Sequence, residues 1–483
     1  MTLTSCLEEA ARRFGDAPAH VAENGLVLSY ADLDRVSDEV AVGLGRRGVG
    51  EGDVLALALP TIPEYIVLYL AAAKVGAITA GVNTRLSSVE QEAVLGVAQP
   101  ALVLREADVE PASTVDGLLG PWRVPGESPP ALHDDPDRPV ALVFTSGTTG
   151  LPKGVLFCNR QLDAVTAIDV GDRWGGGPRG LASTSLAHLG PMTKLAGNLR
   201  GGGTTFLMRR WSAEAALRAV AERGVNFLGG IPTQIALMLE HPSLASTDLS
   251  SLQAIVIGGG PATPALVRAA RSTFGVPLAV RYSCTEAAIG CGTRFDDPPE
   301  DAEVSVGRAQ AGVTLSVLDD DDQPVAVGEV GHVCLRSDAV MAGYWHDPEA
   351  TAAAFTADGS VRTGDLGWVD DVGRLHLAGR SKEMYVRGGY NVHPQEVEAV
   401  LAEHPEVAAV CVVARPDDVM GEVGVAFVVV RSGTMPTLDG LREFARARLA
   451  AYKLPEAMHV VDALPLTSMD KVDRKRLAAL LSS

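Results

Sequence analysis

Val143-Phe144-Thr145-Ser146-Gly147-Thr148-Thr149-Gly150-Leu151-Pro152-Lys153-Gly154-Val155 tells more than any other stretch of this 483-residue chain. Residues 140–144 form an apolar run that reads as a buried strand. The run empties into a row of hydroxyl-bearing and glycine residues, and a lysine follows. Ser and Thr supply hydroxyl donors, Gly lets successive backbone N–H groups turn toward an anion, and Lys adds a compact positive charge. That is the chemistry of a phosphate cradle. An ordinary Ser/Thr/Gly turn between two strands explains the same residues. A Walker A loop fits poorly, because it needs Gly before the lysine and Ser or Thr after it. Here Pro152 and Gly154 flank Lys153.

The rest of the chain bounds what such a loop can serve. Its length calls for two or more domains. Apolar residues make up 47 %, enough for large cores. A formal charge of −19 disfavours nucleic acid and anionic membranes as partners. Small anions then bind only where local donors and cations overcome that field. Six scattered cysteines include no C-x-x-C pair, so neither a zinc site nor a disulfide framework is expected, and a reducing cytoplasm suits the chain. The N-terminus has no secretion-signal pattern. The most apolar region, residues 54–82, is broken by Pro60, Pro63, Glu64 and Lys74, so no membrane span is expected. Arg greatly outnumbers Lys; a retained lysine can mark a site where Arg is too bulky, although composition alone leaves a few at random.

Periodicity predicts helices over 32–44 and 64–75, with a buried strand over 54–59 between them. Residues 110–138, rich in Pro, Gly and Asp, read as loop. The alternation resumes with helices over 213–223, 232–240 and 264–274 and strands over 225–228 and 254–257. Short β runs follow at 314–318, 331–336 and 375–378. After Arg380 the pattern changes to helix (394–401), strand (408–413), strand (423–430) and helix (438–449). The expected architecture is α/β. A large N-terminal domain (1–380) holds mainly parallel sheets with helices and a β-rich subdomain. A small, mobile α+β C-terminal domain (381–483) completes it.

Several further blocks carry polar groups at turns. They are Gly258-Gly259-Gly260-Pro261, Arg281-Tyr282-Ser283-Cys284-Thr285-Glu286, Arg362-Thr363-Gly364-Asp365-Leu366-Gly367, Gly379-Arg380-Ser381-Lys382-Glu383, Arg387-Gly388-Gly389-Tyr390 and Leu464-Pro465-Leu466-Thr467-Ser468-Met469-Asp470-Lys471. Each alone is also readable as a hairpin turn, a solvated linker or a buried aromatic. His188 alone reads as a structural histidine.

Together and in this order, the blocks resemble the adenylate-forming superfamily of acyl-CoA synthetases, peptide-synthetase adenylation domains and luciferases. The resemblance runs from Leu28 to Leu477, and the chain looks most like an acyl-CoA synthetase. It implies that Thr145, Ser146, Gly147, Thr148, Thr149, Gly150 and Lys153 hold the phosphates of ATP. It implies that Gly259, Gly260, Pro261, Arg281, Tyr282 and Ser283 line the adenine and acyl pocket. Thr285 would touch the α-phosphate, and Glu286 with Thr145 would hold Mg²⁺, whose preference is for hard oxygen ligands. Asp365 and Arg380 would contact ribose, Lys382 would be the domain hinge, and Gly388 and Gly389 would line a tunnel for the pantetheine of coenzyme A. His188 would gate the acid pocket, and Lys471 would be the catalytic lysine. The chain departs from the family at Ser283 and Asp470, where Gly is usual, and at Asn159, where His is common. Asp470 would partly neutralise Lys471 or constrain its loop.

The implied reaction joins a carboxylic acid to ATP as an acyl-adenylate, then passes the acyl group to coenzyme A. Two alternatives stand beside it: transfer to a carrier protein or another nucleophile, and a catalytically weak acyl- or nucleotide-binding protein. The small apolar segments expected around the acid favour an aromatic or medium aliphatic monocarboxylate, with Lys194 the nearest cation. A monomer or homodimer is expected.

Overall fold

The computed structural model describes residues 1–145, 152–381, 383–468 and 470–481. Two large sheets dominate the N-terminal part. A six-stranded sheet has a parallel centre made by Leu102–Arg105, Val54–Ala58, Ile78–Gly81 and Pro139–Thr145. Lys153–Cys158 and Gly343–Tyr344 add antiparallel strands at one edge. A nine-stranded sheet gathers strands from Pro18–Ala22 to Arg308–Ala309, parallel at its centre and antiparallel at both edges. The expected mixed α/β architecture is what the chain adopts.

Helix Pro63–Lys74 is buried at every position, which suits its nearly continuous apolar sequence. Pro63 starts it where the missing N–H is harmless. Its one basic residue is accounted for: Lys74 Nζ lies 2.6 Å from Asp34 Oδ1 and 2.6 Å from Asp38 Oδ1. Those aspartates belong to helix Tyr30–Arg46, whose Ser29–Asp32 capping box fixes its start. Tyr69 anchors the same buried helix to helix Leu189–Gly201 by donating its hydroxyl to the Met192 carbonyl at 2.7 Å.

A four-stranded antiparallel sheet, from Thr314–Leu318 to Leu375–Arg380, forms the β-rich unit. The last sheet begins at Tyr385–Arg387 and is built on the long pair Val407–Asp417 and Gly421–Val430. Helices Pro394–Leu401 and Leu438–Arg446 cover it over a separate apolar cluster that includes Val397, Leu401, Val428 and Leu441.

Several elements lie beyond the periodic pattern. Helices Ser88–Ala98, Asn159–Asp169 and Leu189–Gly201 were not signalled by it. The last of these begins at His188, its N-cap.

Candidate functional site

The strand before the quoted loop and the strand after it form an antiparallel hairpin in which Thr145 faces Lys153. The loop residues Ser146, Gly147, Thr148, Thr149 and Gly150 lie outside the described residues. Lys153 Nζ sits 4.6 Å from the centre of the Tyr344 ring, a cation–π contact. Tyr344 is held there because Gly343–Tyr344 pairs with the same strand, opposite Val155 and Leu156. Its hydroxyl donates to Glu286 Oε1 at 2.8 Å. Burial first, and then the Glu286 charge, push the phenol's pKa up. Lysine, ring and carboxylate thus form one chain from the hairpin to Glu286. Tyr344 was not singled out from sequence; the aromatic pair Tyr344-Trp345 directly after Gly343 was the available signal.

Tyr282 ends strand Leu278–Tyr282, and its hydroxyl donates to Asp365 Oδ2 at 2.7 Å. Arg380 Nε lies 3.0 Å from Asp365 Oδ1. The pair is built into the β-rich unit, where Asp365 and Arg380 face each other across adjacent strands. Burial raises the Asp365 pKa, and the Arg380 charge and the Tyr282 hydrogen bond work against that rise. One buried carboxylate therefore receives a phenol on one oxygen and a guanidinium on the other. Between these groups and Glu286, buried Cys284 is kept strongly protonated, first by burial and then by the Glu286 charge.

Lys471 belongs to the C-terminal part and lies within electrostatic reach of Arg380 and Asp365. Its side chain is exposed at the surface, yet desolvation by the surrounding protein, and then the positive Arg380, lower its pKa, with Asp365 opposing. His188 has its pKa pulled down to about 4 by burial, then by the charges of Lys471 and Arg85. It is neutral at physiological pH. Its Nε2 lies 3.3 Å from Asn83 Nδ2. With the amide donating, Nε2 accepts and the ring proton sits on Nδ1. Asp470 does not pair with Lys471: it accepts both terminal nitrogens of Arg85, at 2.7 and 2.6 Å. Of the two roles expected of Asp470, the geometry favours constraint of the loop over neutralisation of the lysine. Asn83 and Arg85 were also missed by sequence reading.

The remaining candidates fall into two groups. Thr285 and Ser283 lie on the Tyr282–Glu286 segment, and Ser283 Oγ donates to the adjacent Cys284 carbonyl at 3.0 Å. Gly259 adopts φ +78° beside Ile231, and Gly260 packs near Pro232, so the segment ending in Pro261 lies against the start of helix Pro232–Glu240. Arg281 is partly buried and donates to the Thr293 and Val280 carbonyls. Burial lowers its pKa, with Asp169 and Asp297 opposing. A cation therefore stands among the segments read as apolar from sequence. Gly388 and Gly389, by contrast, form a two-residue hairpin turn with positive φ at both positions. That turn packs on Met420 of its own sheet rather than on the Tyr282–Asp365 cluster. Lys382 lies outside the described residues. Asn159 spends its amide on structure, accepting from Leu3 N at 3.3 Å and donating to the Asp135 carbonyl at 3.0 Å.

Among the described residues no group of three or more His, Cys, Asp or Glu side chains is poised to hold a metal ion. Glu286 offers a single hard carboxylate, with Oε1 engaged by Tyr344. That arrangement fits Mg²⁺ bound through one carboxylate together with substrate phosphates.

Two family models match the chain: "AMP-binding enzyme" over residues 7–345 and "AMP-binding enzyme C-terminal domain" over residues 396–471. A feruloyl-CoA synthase from Amycolatopsis sp. is 34 % identical, over 94 % of this chain and 94 % of that protein. The fatty acid–[acyl-carrier-protein] ligase ScoC of Streptomyces coeruleorubidus is 31 % identical, over 95 % of this chain and 92 % of the relative. Among solved structures, the amide bond synthetase McbA from Marinactinospora thermotolerans superposes with a TM-score of 0.88 at 30 % identity, covering 99 % of both chains. With its site groups clustered as described and both models matched in order, the chain belongs to the AMP-binding enzyme family, the adenylate-forming superfamily that its motifs resemble.

Proposed function

We propose that the protein uses ATP to activate a carboxylic acid and then ligates the acyl group to coenzyme A, releasing AMP and pyrophosphate. The observation that carries this reading is the Tyr282–Asp365–Arg380 cluster beside the segment bearing Glu286, with the loop of Lys471 tied to Arg85 of the N-terminal part through Asp470. A carboxylate oxygen attacks the α-phosphorus and pyrophosphate leaves. Negative charge spreads in that transition state, so preorganised cations and donors are what catalysis requires. Lys153 and Lys471 supply the cations, with the loop from Thr145 to Gly150 around the phosphates. Asp365 and Arg380 hold ribose, and Tyr282 stacks at the adenine with Gly259, Gly260 and Pro261 alongside. Glu286 and Thr145 hold Mg²⁺, which when bound neutralises phosphate charge. In the second step a thiol attacks the acyl carbon and AMP leaves. Residues 381–483 act as the mobile domain, turning about Lys382 so that Gly388 and Gly389 admit pantetheine and Lys471 withdraws.

The similarity to an acyl-carrier-protein ligase and to an amide bond synthetase supports a second reading, in which the acceptor is a carrier protein or an amine. The position of Lys471 speaks against a mere binding protein. The test is a panel of carboxylic acids with ATP, scored for pyrophosphate and for the nucleotide product, then repeated with coenzyme A, carrier protein and amines. AMP with pyrophosphate is the expected result. ADP as the sole nucleotide product overturns adenylation, and an acyl product formed only with amines or carrier protein overturns the choice of coenzyme A.

A further inference from the structure

Hydrogen bonds tie together the described residues around Lys471. Thr467 N donates to the Lys471 carbonyl at 2.7 Å, Asp470 N donates to the Thr467 carbonyl at 3.0 Å, and Leu466 bridges Val472. Asp470 sits at φ +58°, in the left-handed region that Asp tolerates better than most residues. Its carboxylate is fixed immediately beside the lysine, so where the carboxylate docks, Lys471 follows. It docks on Arg85, through a two-point fork at 2.7 and 2.6 Å. A weaker tie runs alongside, from the Asn83 amide to the Ser468 carbonyl at 3.5 Å. Arg85 and Asp470 are 49 % and 22 % exposed, so the pair is partly shielded from water yet reachable by it.

We propose that the Arg85–Asp470 pair is a latch between the N-terminal and C-terminal parts of the chain, and that both are positioning residues that set Lys471 at the Asp365–Arg380 end of the site. The kinetic consequence rests on the adenylation reading; the geometric one does not. A lysine needed in the first step has to leave before the second if the C-terminal part turns. The latch then favours the first step and opens for the second. A charged pair of this exposure biases such an equilibrium without locking it.

Arg85→Met and Asp470→Asn remove one charge each and keep the bulk, and Asn retains tolerance of the left-handed backbone. Each variant is expected to slow adenylate formation about twofold to fivefold. The double variant should be no slower than the slower single, and thioester formation from supplied acyl-adenylate should be unchanged or faster. A second readout is independent of chemistry. Spin labels on cysteines introduced at exposed Val89 and Val419 report the separation of the two parts, and the six native cysteines are buried. The otherwise unaltered chain should give one dominant distance, broadened in both variants. A chain that adenylates no acid yet shows that broadening sinks the adenylation reading and keeps the latch. Unchanged distances with unchanged adenylation, additive losses in the double variant, or equal slowing of both half-reactions overturns the latch.

Discussion

The Tyr344 hydroxyl donates to Glu286 at 2.8 Å while the face of the same ring holds Lys153. One side chain therefore sets both a cation and a carboxylate, and its two functions separate by mutation. Tyr344→Phe keeps the ring under Lys153 and removes only the hydrogen bond to Glu286. Adenylate formation should fall by about tenfold, the scale of one lost hydrogen bond to a charged group, and the Mg²⁺ concentration for half-maximal rate should rise. A magnesium titration of pyrophosphate release checks it. An unaltered titration curve would mean that Glu286 needs no orientation by the phenol.

Glu286→Gln preserves shape and removes charge. It should slow adenylation more than it weakens binding of the acid, measured by comparing initial rates with acid affinity. Equal losses in the two measurements would remove Glu286 from the metal-binding role.

Lys471→Ala should reduce adenylate formation by on the order of 10²-fold or more, the scale of losing one preorganised donor. The step from supplied acyl-adenylate should be much less affected. The pH profile gives a second handle. In the proposed first step the lysine acts protonated, and its surroundings lower its pKa. First-step activity is therefore lost, as pH rises, below the pKa of a free lysine, about 10.4. In Lys471→Arg that alkaline limb should vanish from the accessible range. Its persistence would assign the titration to another group.

Tyr282→Phe leaves Asp365 with Arg380 but removes its buried phenol partner. KM for ATP should rise by roughly tenfold or more, consistent with one hydrogen bond to a charged acceptor, while the KM of the acid stays within error. A change confined to the acid would place Asp365 away from the nucleotide.

Lys74→Met tests the frame rather than the chemistry. It leaves Asp34 and Asp38 facing each other without their shared cation, which is only 5 % exposed. Unfolding free energy should drop by about 2 kcal/mol, the scale of losing hydrogen bonds to a charged group whose partners, Asp34 and Asp38, stay partly solvated. Denaturant titration measures it, and a loss under about 1 kcal/mol would show the cluster behaving as a surface pair.

Helices such as Ala213–Arg223 and Pro264–Phe274 were legible to the residue, because a Ser212 or Thr263 cap and a following Gly mark both ends. Helix Leu189–Gly201 was not: its N-cap is a histidine without a side-chain cap, and several small residues dilute its apolar stripe. Sheet membership was illegible too. Pro18–Ala22 pairs with Thr204–Leu207, far along the chain, and no local pattern announces that partner. The site divides the same way. Tyr282, Glu286, Asp365, Arg380 and Lys471 each stand in a compact block that draws attention by itself. Tyr344 and Arg85 gain meaning only through partners 58 and 385 residues away. An arginine in a surface loop looks like any other until the fold delivers its carboxylate.

The six buried cysteines bear on chemical self-protection. A mixed anhydride of a carboxylic and a phosphoric acid acylates any thiolate within reach. Cys284 lies on the very segment that carries Tyr282 and Glu286, yet burial and the neighbouring carboxylate hold it as a thiol. The other five are buried as well. A thiol is a far weaker nucleophile than its thiolate. On the adenylation reading, an activated acyl group in this site meets no exposed cysteine of the protein.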